Sequence, residues 1–93
     1  MNDTEVMLRV QMEPRGRHTD LHIGAVPRFV GFKPNGTLSV WYVCTLDAFN
    51  SSEREVWAFV VAATGEPTEC PYPYLGSGIS PDGLVFHVYG GKL

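Results

Sequence analysis

Apolar side chains recur at every second position in one segment after another of this chain. That spacing restricts it to strands with one face turned inward. From Val6 to Met12, the side chains of Val6, Leu8, Val10 and Met12 alternate with Met7, Arg9 and Gln11. The pattern resumes from His18 to Ile23, with Thr19, Leu21 and Ile23 opposite His18, Asp20 and His22, and the intervening Glu13-Pro14-Arg15-Gly16-Arg17 reads as a reversal that makes the two segments hairpin partners. After the corner Gly24 to Pro27, Val30 and Phe32 face one way and Phe29 the other.

Two later runs are apolar on both faces. In Thr37 to Thr45, Leu38, Val40, Tyr42 and Cys44 oppose Trp41 and Val43, which predicts a central strand. In Arg54 to Ala63, Val56, Ala58, Val60 and Ala62 oppose Trp57, Phe59, Val61 and Ala63. A helix is the rival there, but β-branched and aromatic residues favour a strand, and pairing with Thr37 to Thr45 is expected. Tyr74 to Ile79 is a short strand broken by glycines, and Leu84 to Tyr89 closes the series with Leu84, Phe86 and Val88 inward.

The punctuation agrees with this period. Asn35-Gly36 between apolar runs is a strong hairpin signal, expected as a type I′ turn, and Pro81-Asp82-Gly83 marks a second hairpin. Thr64 to Pro73 holds three prolines and one glycine, so it must run irregularly over the surface. About seven short strands joined by turns predict a mainly β protein, a small antiparallel barrel or sandwich with at most a helical turn in its loops. With 93 residues there is room for a single β domain over residues 1–93. A core this small is often supplemented by self-association, so a homo-oligomer is expected.

Charge narrows the partners. The net charge is −3, and the one basic cluster is Arg15, Arg17 and His18, which reads as a solvated turn. A duplex-binding surface concentrates Lys and Arg against phosphates, so nucleic acid is not an expected partner. Cys44 reads as a buried small hydrophobe and Cys70 as a loop thiol, compatible with a reducing compartment. The start MNDTEVMLRV offers no apolar stretch for a signal peptide or membrane span, so a cytoplasmic protein with no membrane partner is expected. The sequons at Asn2, Asn35 and Asn50 are then chance matches.

Few residue patterns suggest chemistry. His18, Asp20 and His22 would share one strand face, but at successive steps of about 6.5 to 7 Å, too far apart to surround one metal ion, so no metal or other cofactor is expected. Neither a nucleophile elbow, a His-Glu-x-x-His motif nor an acid and base carboxylate pair occurs. The expectation is a protein without enzymatic activity. The candidate ligand-binding positions are Thr64, Gly65, Tyr74, Gly76 and His87, where loop glycines bring backbone amides near a polar ring. Tyr72, Tyr74 and Tyr89 surround prolines and glycines near the carboxyl end and would suit a protein interface.

Over nearly its whole length the chain resembles a family of small uncharacterised proteins of tailed bacteriophages and prophages. The resemblance is carried by the segment entered at His18, Leu38-Ser39-Val40-Trp41, Ala63-Thr64-Gly65-Glu66-Pro67, Tyr74-Leu75-Gly76-Ser77, and Asp82-Gly83-Leu84-Val85-Phe86-His87-Val88. Ala63 departs from a loop that resembles Gly-Thr-Gly-x-Pro in that family, Ser77 stands where Thr is usual and Phe86 where Trp is frequent. The resemblance implies a phage accessory protein of the host cytoplasm that binds a host or phage protein, for example to block a defence system. The alternative is a protein that binds or sequesters a small molecule such as a nucleotide signal.

Overall fold

The computed structural model describes residues 4–93, so the sequon at Asn2 lies outside the described residues. Seven strands appear where alternation places them: β1 (Glu5–Gln11), β2 (Gly16–His22), β3 (Val26–Phe32), β4 (Leu38–Thr45), β5 (Arg54–Ala63), β6 (Tyr74–Ile79) and β7 (Val85–Lys92). A short helix, α1 (Leu46–Asn50), follows β4. Thr45 caps it, its hydroxyl oxygen accepting from the Ala48 amide at 3.1 Å. The strands form two antiparallel sheets, a three-stranded one in the order β1-β4-β3 and a four-stranded one in the order β2-β5-β7-β6. The molecule is therefore a sandwich and not a closed barrel.

The inward faces meet in one core built from Met12, Leu21, Val30, Leu38, Val40, Tyr42, Trp57, Phe59, Val61 and Val88. Val40 and Val88 are wholly removed from solvent, each burial stabilising by roughly 1.5 to 3 kcal/mol. At one margin the sheets nearly touch: a side chain at Gly78 would start 3.2 Å from the Gly31 Cα, and one at Gly76 would start 3.0 Å from the Val30 side chain. At the other margin Arg17 on β2 donates to the Gln11 carbonyl of β1 at 3.1 Å and ties the sheets together.

Two expected pairings are corrected. β1 and β2 do not form a hairpin, because β1 pairs with β4 and β2 with β5. The Glu13–Gly16 turn, closed by Gly16 N to Glu13 O at 3.0 Å, carries the chain from one sheet to the other. Nor does Thr37 to Thr45 pair with Arg54 to Ala63, since α1 and the residues after it make the same kind of crossing between β4 and β5.

The Asn35-Gly36 hairpin forms, with a different turn. Gly36 has φ +86°, while no other residue type takes a positive φ among the described residues. The turn closes through Gly36 N to Lys33 O at 2.9 Å and Lys33 N to Thr37 O at 2.9 Å. Pro34 holds the first central position near its fixed φ, which excludes type I′ and gives a type I turn followed by a glycine. Ser80 to Leu84 repeats this arrangement, with Gly83 at φ +88°. Ile23 and Leu84 are exposed where inward positions were expected, because both lie in the turns that flank the strands.

Candidate functional site

β7 lies between β5 and β6, and His87 projects from its outer face opposite Ala62 and Ser77. Strict alternation would put Tyr74 and Ser77 on opposite faces of β6. A register shift between Tyr74 and Gly76 inserts one residue and turns both outward. Tyr74 then meets Tyr89 edge-on at 5.6 Å between ring centroids and His87 at 6.4 Å.

The polar atoms join in one chain. Thr64 Oγ1 lies 2.9 Å from His87 Nε2, and Ser77 Oγ lies 2.6 Å from His87 Nδ1. The Tyr74 hydroxyl bonds Ser77 Oγ in turn. Thr64 Oγ1 also lies 3.3 Å from the Val85 carbonyl, and the tautomer of the ring sets which hydroxyl donates to it and which accepts. A serine hydroxyl within hydrogen-bond reach of an imidazole nitrogen is the first half of a nucleophilic pair. The group on the other side of the ring, however, is a threonine hydroxyl and not the carboxylate that stabilises an imidazolium in a triad.

Three of the five expected ligand positions, Thr64, Tyr74 and His87, thus come together with Ser77. Gly65 sits at φ +91° in the adjoining turn with open space around it. Gly76 faces the core against Val30, on the opposite side of the sheet from His87. The sequence reading missed Ser77 as a bonding partner because the bulge that exposes it has no signal beyond the Gly76-Ser77-Gly78 run. His87 also clasps both ends of the irregular stretch between β5 and β6: Thr64 begins it and Tyr74 follows it. Between them Glu66, Pro67, Thr68 and Glu69 border, with Arg15 and residues 60–62 of β5, an open hollow of about 200 Å³, while Tyr72 and Pro73 strap the outer face at Gly91.

On the other outer face, Ser39 and Val43 of the central strand are buried, while the edge strands expose apolar side chains. On the three-stranded sheet, Arg9, Trp41 and Phe29 stand in one cross-strand row and Met7, Val43 and Val26 in the next. Phe29 is 61% exposed and Met7 55%, with Val26 also exposed. The Phe29 and Trp41 rings pack at 5.5 Å. Arg9 donates to Ser39 Oγ at 2.9 Å, and Arg28 and Glu5 form an exposed ion pair at 3.7 Å at the rim.

Elsewhere, a cavity of about 330 Å³ opens between the sheets beside Met12, Phe32, Leu38, Val61 and Phe86; none of the five expected ligand positions lines it. His22 leaves the group imagined with His18 and Asp20: its Nδ1 is 3.0 Å from the Tyr42 hydroxyl and its ring stacks on Phe49 at 5.6 Å. Burial, reinforced by the Arg54 charge, lowers the His22 pKa. Burial likewise raises the pKa of the Cys44 thiol. Among the described residues no three His, Cys, Asp or Glu side chains gather where they could hold a metal ion. No helix among them is long and apolar enough to cross a membrane.

Fold and surface together define a small antiparallel β-sandwich with one strapped outer face and one whose edge strands expose apolar side chains. The chain belongs to the family described as a domain of unknown function, DUF7352, whose model matches residues 3–93. No curated protein and no solved structure matches it.

Proposed function

We propose that this is a non-enzymatic interaction protein, a phage accessory factor acting in the host cytoplasm by binding a host or phage protein, with inhibition of a defence system as its biological use. The observation that supports it is the exposed apolar side chains of Met7, Val26 and Phe29 around Trp41 on the outer face of the three-stranded sheet. Contiguous exposed apolar surface with a polar rim marks protein contacts more often than bare solvent faces. Tryptophan, phenylalanine, methionine and arginine are also the residue types enriched at such contacts. Arg9, Arg28 and Glu5 around the rim would set orientation.

The test is capture from bacterial lysate with the whole chain as bait, followed by affinity measurement on the captured protein. Phe29→Glu changes an exposed side chain and replaces the most exposed ring of the patch with a charge, so binding should weaken at least about tenfold. His87→Ala, on the far sheet, should bind as the wild type does. No captured protein, or one held equally well by Phe29→Glu, overturns the proposal.

A second reading, binding of a small molecule such as a nucleotide signal, is favoured by the convergence of Thr64, Ser77, Tyr74 and His87. Base stacking on Tyr74 and hydrogen bonds from the hydroxyls would be its chemistry. A nucleotide that raises the melting temperature of the wild type but not of His87→Ala would support it, and a full nucleotide panel without a shift would end it.

A further inference from the structure

Four strands end the two sheets, and three of them are guarded. β3 carries Pro27 and a register shift. β6 carries Gly76, Gly78 and another shift. β2 presents Arg17, His18 and Asp20. Proline, bulges and charge are the devices by which edge strands resist pairing with further chains. β1 has neither proline, glycine nor bulge along Glu5–Gln11 and pairs residue for residue with β4; its two charges, Glu5 and Arg9, are of opposite sign and four residues apart, so in an antiparallel pair of copies they attract.

The direction of its free backbone groups is fixed by its ends. Leu46 N donates to Thr4 O at 2.9 Å, and Met12 N donates to Leu38 O at 2.8 Å. Even-numbered positions therefore exchange hydrogen bonds with β4, and the amides and carbonyls of Glu5, Met7, Arg9 and Gln11 point to the open edge. The Arg17 guanidinium fits this direction, since it reaches the Gln11 carbonyl from outside the sheet. Val6, Leu8 and Val10 face the core yet stay half-buried, because their edge flank has no neighbour among the described strands.

We infer that β1 pairs antiparallel with β1 of a second copy of this chain about a two-fold axis through Met7. In that register Met7 opposes Met7 and Glu5 opposes Arg9 on both sides of the axis. About six backbone hydrogen bonds form from Glu5, Met7 and Arg9, whose outward groups meet no partner among the described residues. The register is selected by charge and by backbone. Centring on Arg9 would oppose two guanidinium groups, which is unfavourable across strands. Centring on Leu8 would require the Gln11 carbonyl already engaged by Arg17. On the inner side Leu8 covers Val6 of the other copy, completing the burial each lacks alone. The two three-stranded sheets become one six-stranded sheet. This dimer is independent of the partner proposed above.

Sedimentation equilibrium of the purified chain, with amide hydrogen exchange at low and high protein concentration, tests it. The wild type should dimerise, and the Met7 and Arg9 amides should gain protection as concentration rises. Met7→Pro removes an outward donor while sparing the bonds to β4, and should give a monomer with an unchanged near-ultraviolet circular dichroism spectrum. Arg9→Glu should weaken association about tenfold, and adding Glu5→Arg should restore it. A wild type that stays monomeric up to about 1 mM overturns the inference. So does a dimer that Arg9→Glu leaves intact, or one whose Met7 and Arg9 amides exchange alike at both concentrations.

Discussion

Gly16 is the residue with the least freedom to change. It enters β2 at φ +109°, and a Cβ there would lie 2.1 Å from the Phe59 carbonyl oxygen, inside the backbone of the neighbouring strand. Gly36 also has a positive φ, +86°, but nothing lies within 4 Å of where its Cβ would stand. Urea unfolding should separate the two. Gly36→Ala should cost about 1 kcal/mol, the dihedral penalty alone, whereas Gly16→Ala should cost at least about 3 kcal/mol because β2 must move away from β5. His22 brings a pH dependence. Burial first, and Arg54 second, lower its pKa in the folded protein below the ordinary 6.5. The unfolded chain therefore binds the proton more readily, and stability falls as pH drops below 6.5 toward the depressed folded value. Urea midpoints measured between about pH 8 and pH 5 should decline less steeply for His22→Gln than for the wild type.

Among the elements, the stretch between β5 and β6 depends on the His87 clasp. Without it, the stretch keeps its prolines and its backbone anchors, Thr64 N to Val85 O at 3.1 Å and Gly90 N to Pro73 O at 3.0 Å, but loses the side-chain clasp between its ends. Limited proteolysis should cut His87→Ala within residues 64–73 about fivefold faster than the wild type, with little change in global stability. The strands themselves were legible because each alternates or carries β-branched and aromatic residues through its length. Their partners were legible only where the connection is local. The two hairpins that form, β3–β4 and β6–β7, are those with Pro34-Asn35-Gly36 and Pro81-Asp82-Gly83 between their strands. The chain runs β1 to β2 and β4 to β5 without such a turn, and in both places it crosses to the other sheet. Period two says which face is buried but not which sheet buries it. The candidate site divides likewise: Thr64, Tyr74 and His87 converge, while Gly76 falls on the core side because one extra residue reverses the alternation after Tyr74.

For the whole molecule, the two sheets are held by different means at their two margins. Glycine allows close approach between β3 and β6, and a single arginine bridges β1 and β2. The outer faces differ as much, one strapped by chain and the other with Met7, Val26 and Phe29 exposed on its edge strands. The strap also makes the fold divisible. It is the longest connection between strands, and it leads into a complete hairpin whose β7 lies along β5 over seven paired positions. A protease nick in the strap would leave two pieces gripping each other through that ladder and through Val88 in the shared core. Severed there, the chain is one body in two parts, and its final hairpin becomes a tail that a separate peptide could supply.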